Sequence, residues 1–131
     1  MDESTIEIPE LHITPSSAQL FMFSAVTWNR HRIHYSKDAA LDEGHPDIVV
    51  QRALLGNFMA RHVGRWLGDH GRILQLSWRV VKSATPGHLL RCQGTATAQS
   101  RPSGAGQMRC ALRIIDSSDS LVSTGEAVVV V

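Results

Sequence analysis

Apolar positions follow two rhythms along this chain. In the first half they recur at helical spacing, and from residue 72 onward they alternate. Thr14-Pro15-Ser16 reads as a helix start, with Thr14 as cap and Pro15 at the first helical position. Ala18, Leu20, Phe21 and Phe23 carry that helix to about Val26. Lys37 to Asp42 forms a short helix that stops at Gly44, His45-Pro46-Asp47 turns, and Ile48-Val49-Val50 enters buried territory. From Ala53 to Leu67, the residues Leu55, Phe58, Met59, His62, Val63, Trp66 and Leu67 share one stripe. That predicts a central helix about 22 Å long. Four alternating runs follow, at 72–82, 88–99, 107–116 and 121–131, separated by turn residues that include the loop Arg101–Gly106. They predict an antiparallel meander. Ahead of everything, residues 1–10 read as a loose arm, and Leu11 and Ile13 flank His12 as a short strand. The expected class is α+β, one domain over residues 1–131, with the antiparallel sheet either curved around the central helix or packed on it as a plain α+β sandwich.

Composition narrows the picture. The chain has 131 residues, 43% apolar and 19% charged, with a net charge of +1. That balance suits a globular domain and gives no electrostatic case for nucleic acid or a membrane surface. The first ten residues hold three Glu and one Asp, unlike a secretory signal, and no apolar run reaches the ~20 residues of a spanning helix. Cys92 and Cys110 fit no CxxC pattern and fall at inward strand positions, as buried thiols of a reducing cytosol would. A soluble cytoplasmic protein is expected. A chain this short can hardly enclose a large substrate alone, which favours a site shared between subunits.

Candidate chemistry concentrates between the first two helices. Trp28-Asn29-Arg30-His31-Arg32-Ile33-His34-Tyr35-Ser36 packs two His, two Arg, one Asn and two aromatics into nine residues. By composition alone it could be a polar surface loop. His31 and His34 have a possible metal-ligand spacing, but no third ligand is evident and the arginines repel a cation, so no metal is expected. His62 lies on the central stripe as a packed, hydrogen-bonded histidine, while His12, His45, His70 and His88 fall beside turns and strand ends, as solvated residues do. Arg79, Arg91, Arg109 and Arg113 fall on strands, as phosphate ligands or as an exposed sheet face. Val128 to Val131 would be an aggregation hazard as a free edge and is expected to be covered.

The loop resembles the motif D-x-N-P-[LIV]-H-x-[DN]-x-x-x-A of the MaoC-like (R)-specific enoyl-CoA hydratases and hydroxyacyl-thioester dehydratases. Asn29 stands at the motif's Asp, His31 at its Asn, Arg32 at its Pro, Ile33 at the aliphatic position and His34 at its His. Ser36 replaces the second acid and Ala40 matches the closing Ala. The run from Phe23 to Tyr35 is similar to the branch of mesaconyl- and itaconyl-CoA hydratases and mitochondrial-type hydroxyacyl-ACP dehydratases. Residues 43–68 also look like small subunits of steroid side-chain hydratases.

The resemblance implies a single hotdog fold and reversible addition of water to a 2-enoyl thioester of coenzyme A or acyl carrier protein, with no cofactor. It makes His34 the general acid and base, with Asn29 orienting the water because an amide takes no proton. The entry of the central helix would hold the thioester oxygen. There the family's His-Gly is replaced by Gln51-Arg52, so His31, Gln51 and Arg52 are the candidate substrate-binding residues. Arg52 either blocks the thioester or adds a positive charge beside it. Gln51 is either a substitute donor or an ordinary polar helix entry. The expected partner is a second hotdog subunit, in a homodimer or in a heteromer where this chain supplies structure or half the pocket. A thioesterase or acyl-thioester binding module is a third reading, opposed by the absence of Asp and Glu from residues 51–67.

Overall fold

The computed structural model describes residues 5–99 and 106–131. The element order is β1 (Thr5–Ile13), α1 (Ser17–Thr27), α2 (Lys37–Asp42), α3 (Arg52–Leu67), β2 (Arg72–Val80), β3 (Leu90–Ala98), β4 (Gln107–Ile115) and β5 (Leu121–Val130). Single 3-10 turns lie at Arg32–His34 and Gly68–His70. The strands form one antiparallel sheet in the order β1-β3-β4-β5-β2.

α3 lies across this sheet and buries Leu54, Leu55, Phe58, Met59, Val63 and Leu67 against it. Each such side chain contributes about 1.5–3 kcal/mol of transfer free energy. Two glycines let helix and sheet approach. A Cβ on Gly56 would sit 2.3 Å from the Trp78 ring, and one on Gly125 would sit 2.6 Å from Met59 Sδ. The strand faces behave as alternation requires: Leu90, Cys92 and Ala96, with Cys110, Leu112 and Ile114, point at the helix. Both cysteines are buried and free, and burial pushes the Cys92 thiol up to about 12.

Three expectations change. Residues 5–10 are strand, not loose arm: β1 runs from Thr5 and pairs with β3. Its alternation was masked because a register irregularity between Ile8 and Leu11 breaks the period, and because an edge strand tolerates Glu7, Pro9 and Glu10. Residues 1–4 and most of the loop at 101–106 lie outside the described residues. Second, the meander covers only β3, β4 and β5; β2 crosses to the far side and pairs with β5. β5 is therefore interior, which is how Val128–Val130 are covered. Third, α1 is capped by Ser16, whose hydroxyl accepts from Gln19 N, so Pro15 precedes the helix.

Candidate active site

The loop after α1 is set by an unusual turn. Trp28 is left-handed, with φ 59° and ψ 31°, a conformation a bulky residue adopts only when its neighbours impose it. The N–H groups of Trp28 and Asn29 both donate to Ser24 O, the latter at 2.9 Å. Packing contributes little, since Trp28 is 73% exposed; the Arg30 guanidinium lies 5.3 Å from its ring centroid. The turn brings Asn29 onto the wall of a cleft. Asn29 Oδ1 accepts from His31 N at 3.3 Å, and His31 Nδ1 accepts from Ile33 N at 3.4 Å, starting the 3-10 turn that carries His34.

His34 is buried. Its Nδ1 lies 2.7 Å from Val49 O. A carbonyl only accepts, so Nδ1 carries the hydrogen and Nε2 is left with its lone pair. Nε2 has no partner among the described residues, and the ring lines the cleft. Burial holds the imidazole's pKa below its ordinary value, the Val49 bond opposes this, and His31 and His45 add to the lowering. His34 is accordingly an uncharged imidazole at neutral pH.

The cleft, of about 550 Å³, is lined by Asn29, His31, Ile33, His34, His45, Val49, Val50, Arg52, Ala53, Val80 and Ser83. Four of the five expected site residues therefore meet in one place. Arg52 is exposed at its margin, and its carbonyl accepts from Trp78 Nε1 at 3.0 Å. The first turn of α3 faces the same space. Its N–H groups have no intrahelical acceptor and no side chain caps them. Arg52 and Ala53, the first two residues of that turn, line the cleft together with His34.

Gln51 departs from expectation. It is fully buried, and its Nε2 donates to Leu20 O at 2.7 Å and Ser24 Oγ at 2.9 Å. Both amide hydrogens are committed to α1, so the side chain is not a donor to a ligand. His45, read as solvated, is instead half-buried on the cleft wall, and Ser83 joins it. Neither carries a sequence signal; the turns after α2 and β2 bring them in. The four strand arginines are absent from the cleft lining. Arg91 pairs with Asp119, Arg109 with Glu126 at 3.2 Å, and Arg113 donates to Gln93 at 2.8 Å.

A five-stranded antiparallel sheet packed on one long helix, with the Asn29–His34 loop and the helix entry on one cleft, is a hotdog fold. Solved structures agree. The (R)-hydratase from A. caviae involved in PHA biosynthesis superposes with TM-score 0.88 at 22% identity, covering 98% of this chain and 96% of that one. A chain of the ChsH1–ChsH2 complex from Mycobacterium tuberculosis superposes with TM-score 0.86 at 18% identity, covering 99% and 98%. The chain belongs to the hydroxyacyl-thioester dehydratase type 2 family, whose model matches residues 2–86. A curated relative, mesaconyl-C(4)-CoA hydratase from Chloroflexus aurantiacus, is 39% identical over 67 residues, covering 44% of this chain. The chain matches only 24% of that relative's length.

Proposed function

We propose that this protein is a hydro-lyase that reversibly adds water across the C2–C3 double bond of a 2-enoyl thioester. The observation that carries the reading is His34: Nδ1 is fixed on Val49 O, while Nε2 keeps its lone pair in a cleft facing the free N–H groups of α3. In the hydration direction, Nε2 takes a proton from water as the oxygen bonds to C3. The π electrons move toward the thioester carbonyl, whose growing negative charge is held by the N–H groups at Arg52 and Ala53. His34 then returns its proton to C2, which restores the carbonyl and completes the addition. Asn29 orients the water and transfers no proton. The chemistry needs neither redox group nor metal. Family membership supports the reaction type, and the acyl handle is coenzyme A or acyl carrier protein. The test is spectrophotometric loss of the conjugated double bond of 2-butenoyl-CoA. A soluble protein that hydrates none of a panel of 2-enoyl thioesters, alone or with its partner, overturns the reading.

The working unit proposed is two hotdog domains. β2 is an open sheet edge carrying Leu74 and Trp78, 42% and 37% exposed, and the chain leaving it supplies Val80 and Ser83 to the cleft. A second domain along β2 would cover the edge and close the cleft. Identical partners give a homodimer; a second hydratase-like chain gives a heteromer. Light scattering on the purified chain separates these, since the heteromer reading requires a monomer or an unstable protein rescued by co-expression.

A further inference from the structure

We propose that Gln51 is a positioning residue: with Val49 it fastens both ends of the catalytic loop to the three residues that lead into α3. The inference rests on the hydration reading for its meaning, and on hydrogen bonds for its geometry. At the His34 end of the loop, His34 Nδ1 donates to Val49 O, and Val49 N donates back to Ile33 O at 2.9 Å. At the Asn29 end the connection runs through α1. Gln51 Nε2 grips Leu20 O and Ser24 Oγ, and the carbonyl of that same Ser24 receives the N–H groups of Trp28 and Asn29. The residue after Gln51 begins α3 and its free N–H groups. One short segment, 49–51, thus sets the water-orienting amide, the imidazole and the donor turn relative to one another. β2 and the chain leaving it hold the same place, through the Trp78 indole to Arg52 O and Val50 N to Ala84 O.

Two features separate this role from plain packing. The Gln51 side chain is completely buried and leaves Oε1 unpartnered, a desolvation cost that an apolar residue of that shape would not carry. And the turn it supports is held by few other contacts: Trp28 is left-handed yet largely exposed.

The experiment compares Gln51→Met, Ser24→Ala and the double variant. Positioning predicts that Gln51→Met lowers kcat on 2-butenoyl-CoA by ~10-fold or more with KM little changed, since small misplacement at a reacting centre is costly. Ser24→Ala should lower it less, and the double variant should be no worse than Gln51→Met, because both act through one link. Amide hydrogen exchange at Trp28 and Asn29 should speed up in both single variants. Unchanged exchange in Ser24→Ala, a variant expected to fold, overturns the proposal, and so do additive losses in the double. If the wild type hydrates nothing, the hydration reading fails while the exchange measurements still decide whether Gln51 holds the turn.

Discussion

Two buried histidines, one on the loop before α2 and one in the middle of α3, are alike in almost every local measure. His34 and His62 are 8% and 2% exposed. Each gives one ring nitrogen to a backbone carbonyl, Val49 O at 2.7 Å and Pro9 O at 2.8 Å. Burial lowers the pKa of both. What differs is the second nitrogen. In His34 it is Nε2, in a cleft beside Asn29 and a helix entry; in His62 it is Nδ1, buried with no partner. Burial and a shifted pKa therefore mark a histidine as unusual, and only the surroundings of its free lone pair make it a candidate base.

The largest expected effect separates the two by activity. His34→Gln should lose about 10²–10⁴-fold in kcat for 2-enoyl-CoA hydration, the usual contribution of general acid–base catalysis. His62→Leu keeps the volume, removes one hydrogen bond worth about 0.5–1.5 kcal/mol, and should keep kcat within a few-fold. Equal losses in both variants would erase the distinction.

A smaller effect unites them. A histidine whose folded pKa lies below its unfolded value of about 6.5 binds fewer protons when folded. Stability then rises with pH through that window and is lost as pH falls below about 6.5. Glu10 and Asp116, with pKa values lowered chiefly by side-chain hydrogen bonds from His12 and Lys82, give up their stabilisation only at lower pH, as they protonate. Urea midpoints across pH should fall in the histidine window first. His62→Leu should flatten that decline, and an undiminished slope would show that His62 takes no part in it.

The comparison also shows what could be read without coordinates. The loop from Asn29 to His34 was legible because its residue types are dense and their spacing matches a motif, and α3 was legible because its stripe runs four turns. Consecutive strands usually pair, so alternation alone puts β2 beside β3; nothing in its residues announces that it pairs with β5 instead. Gln51 and His45 differ from their local reading because of elements distant in sequence. A helix-entry position reads as facing the ligand and a residue beside a turn as facing solvent, whereas here α1 covers Gln51 and the exit of α2 delivers His45 to the cleft. Contacts between elements distant in sequence decide such positions, and no local pattern carries them.

The smallest expected effect sharpens the roles inside the cleft. Asn29 stands where the related motif has an acid, and Asp in its place would still accept from His31 N through Oδ1. Asn29→Asp adds a negative charge to the cleft wall that His34 shares. That charge favours the imidazolium, so the His34 pKa should rise and the acid limb of kcat/KM should move to higher pH. It also supplies a second proton carrier, so kcat at pH 8 should rise by up to ~10-fold if His34 now does both transfers alone. A shifted limb with unchanged kcat would mean that proton delivery to C2 does not limit the rate and that Asn29 already orients the water as well as the acid does. A limb that stays in place would mean that position 29 does not interact with His34, and the water-orienting role given to Asn29 would fall with it.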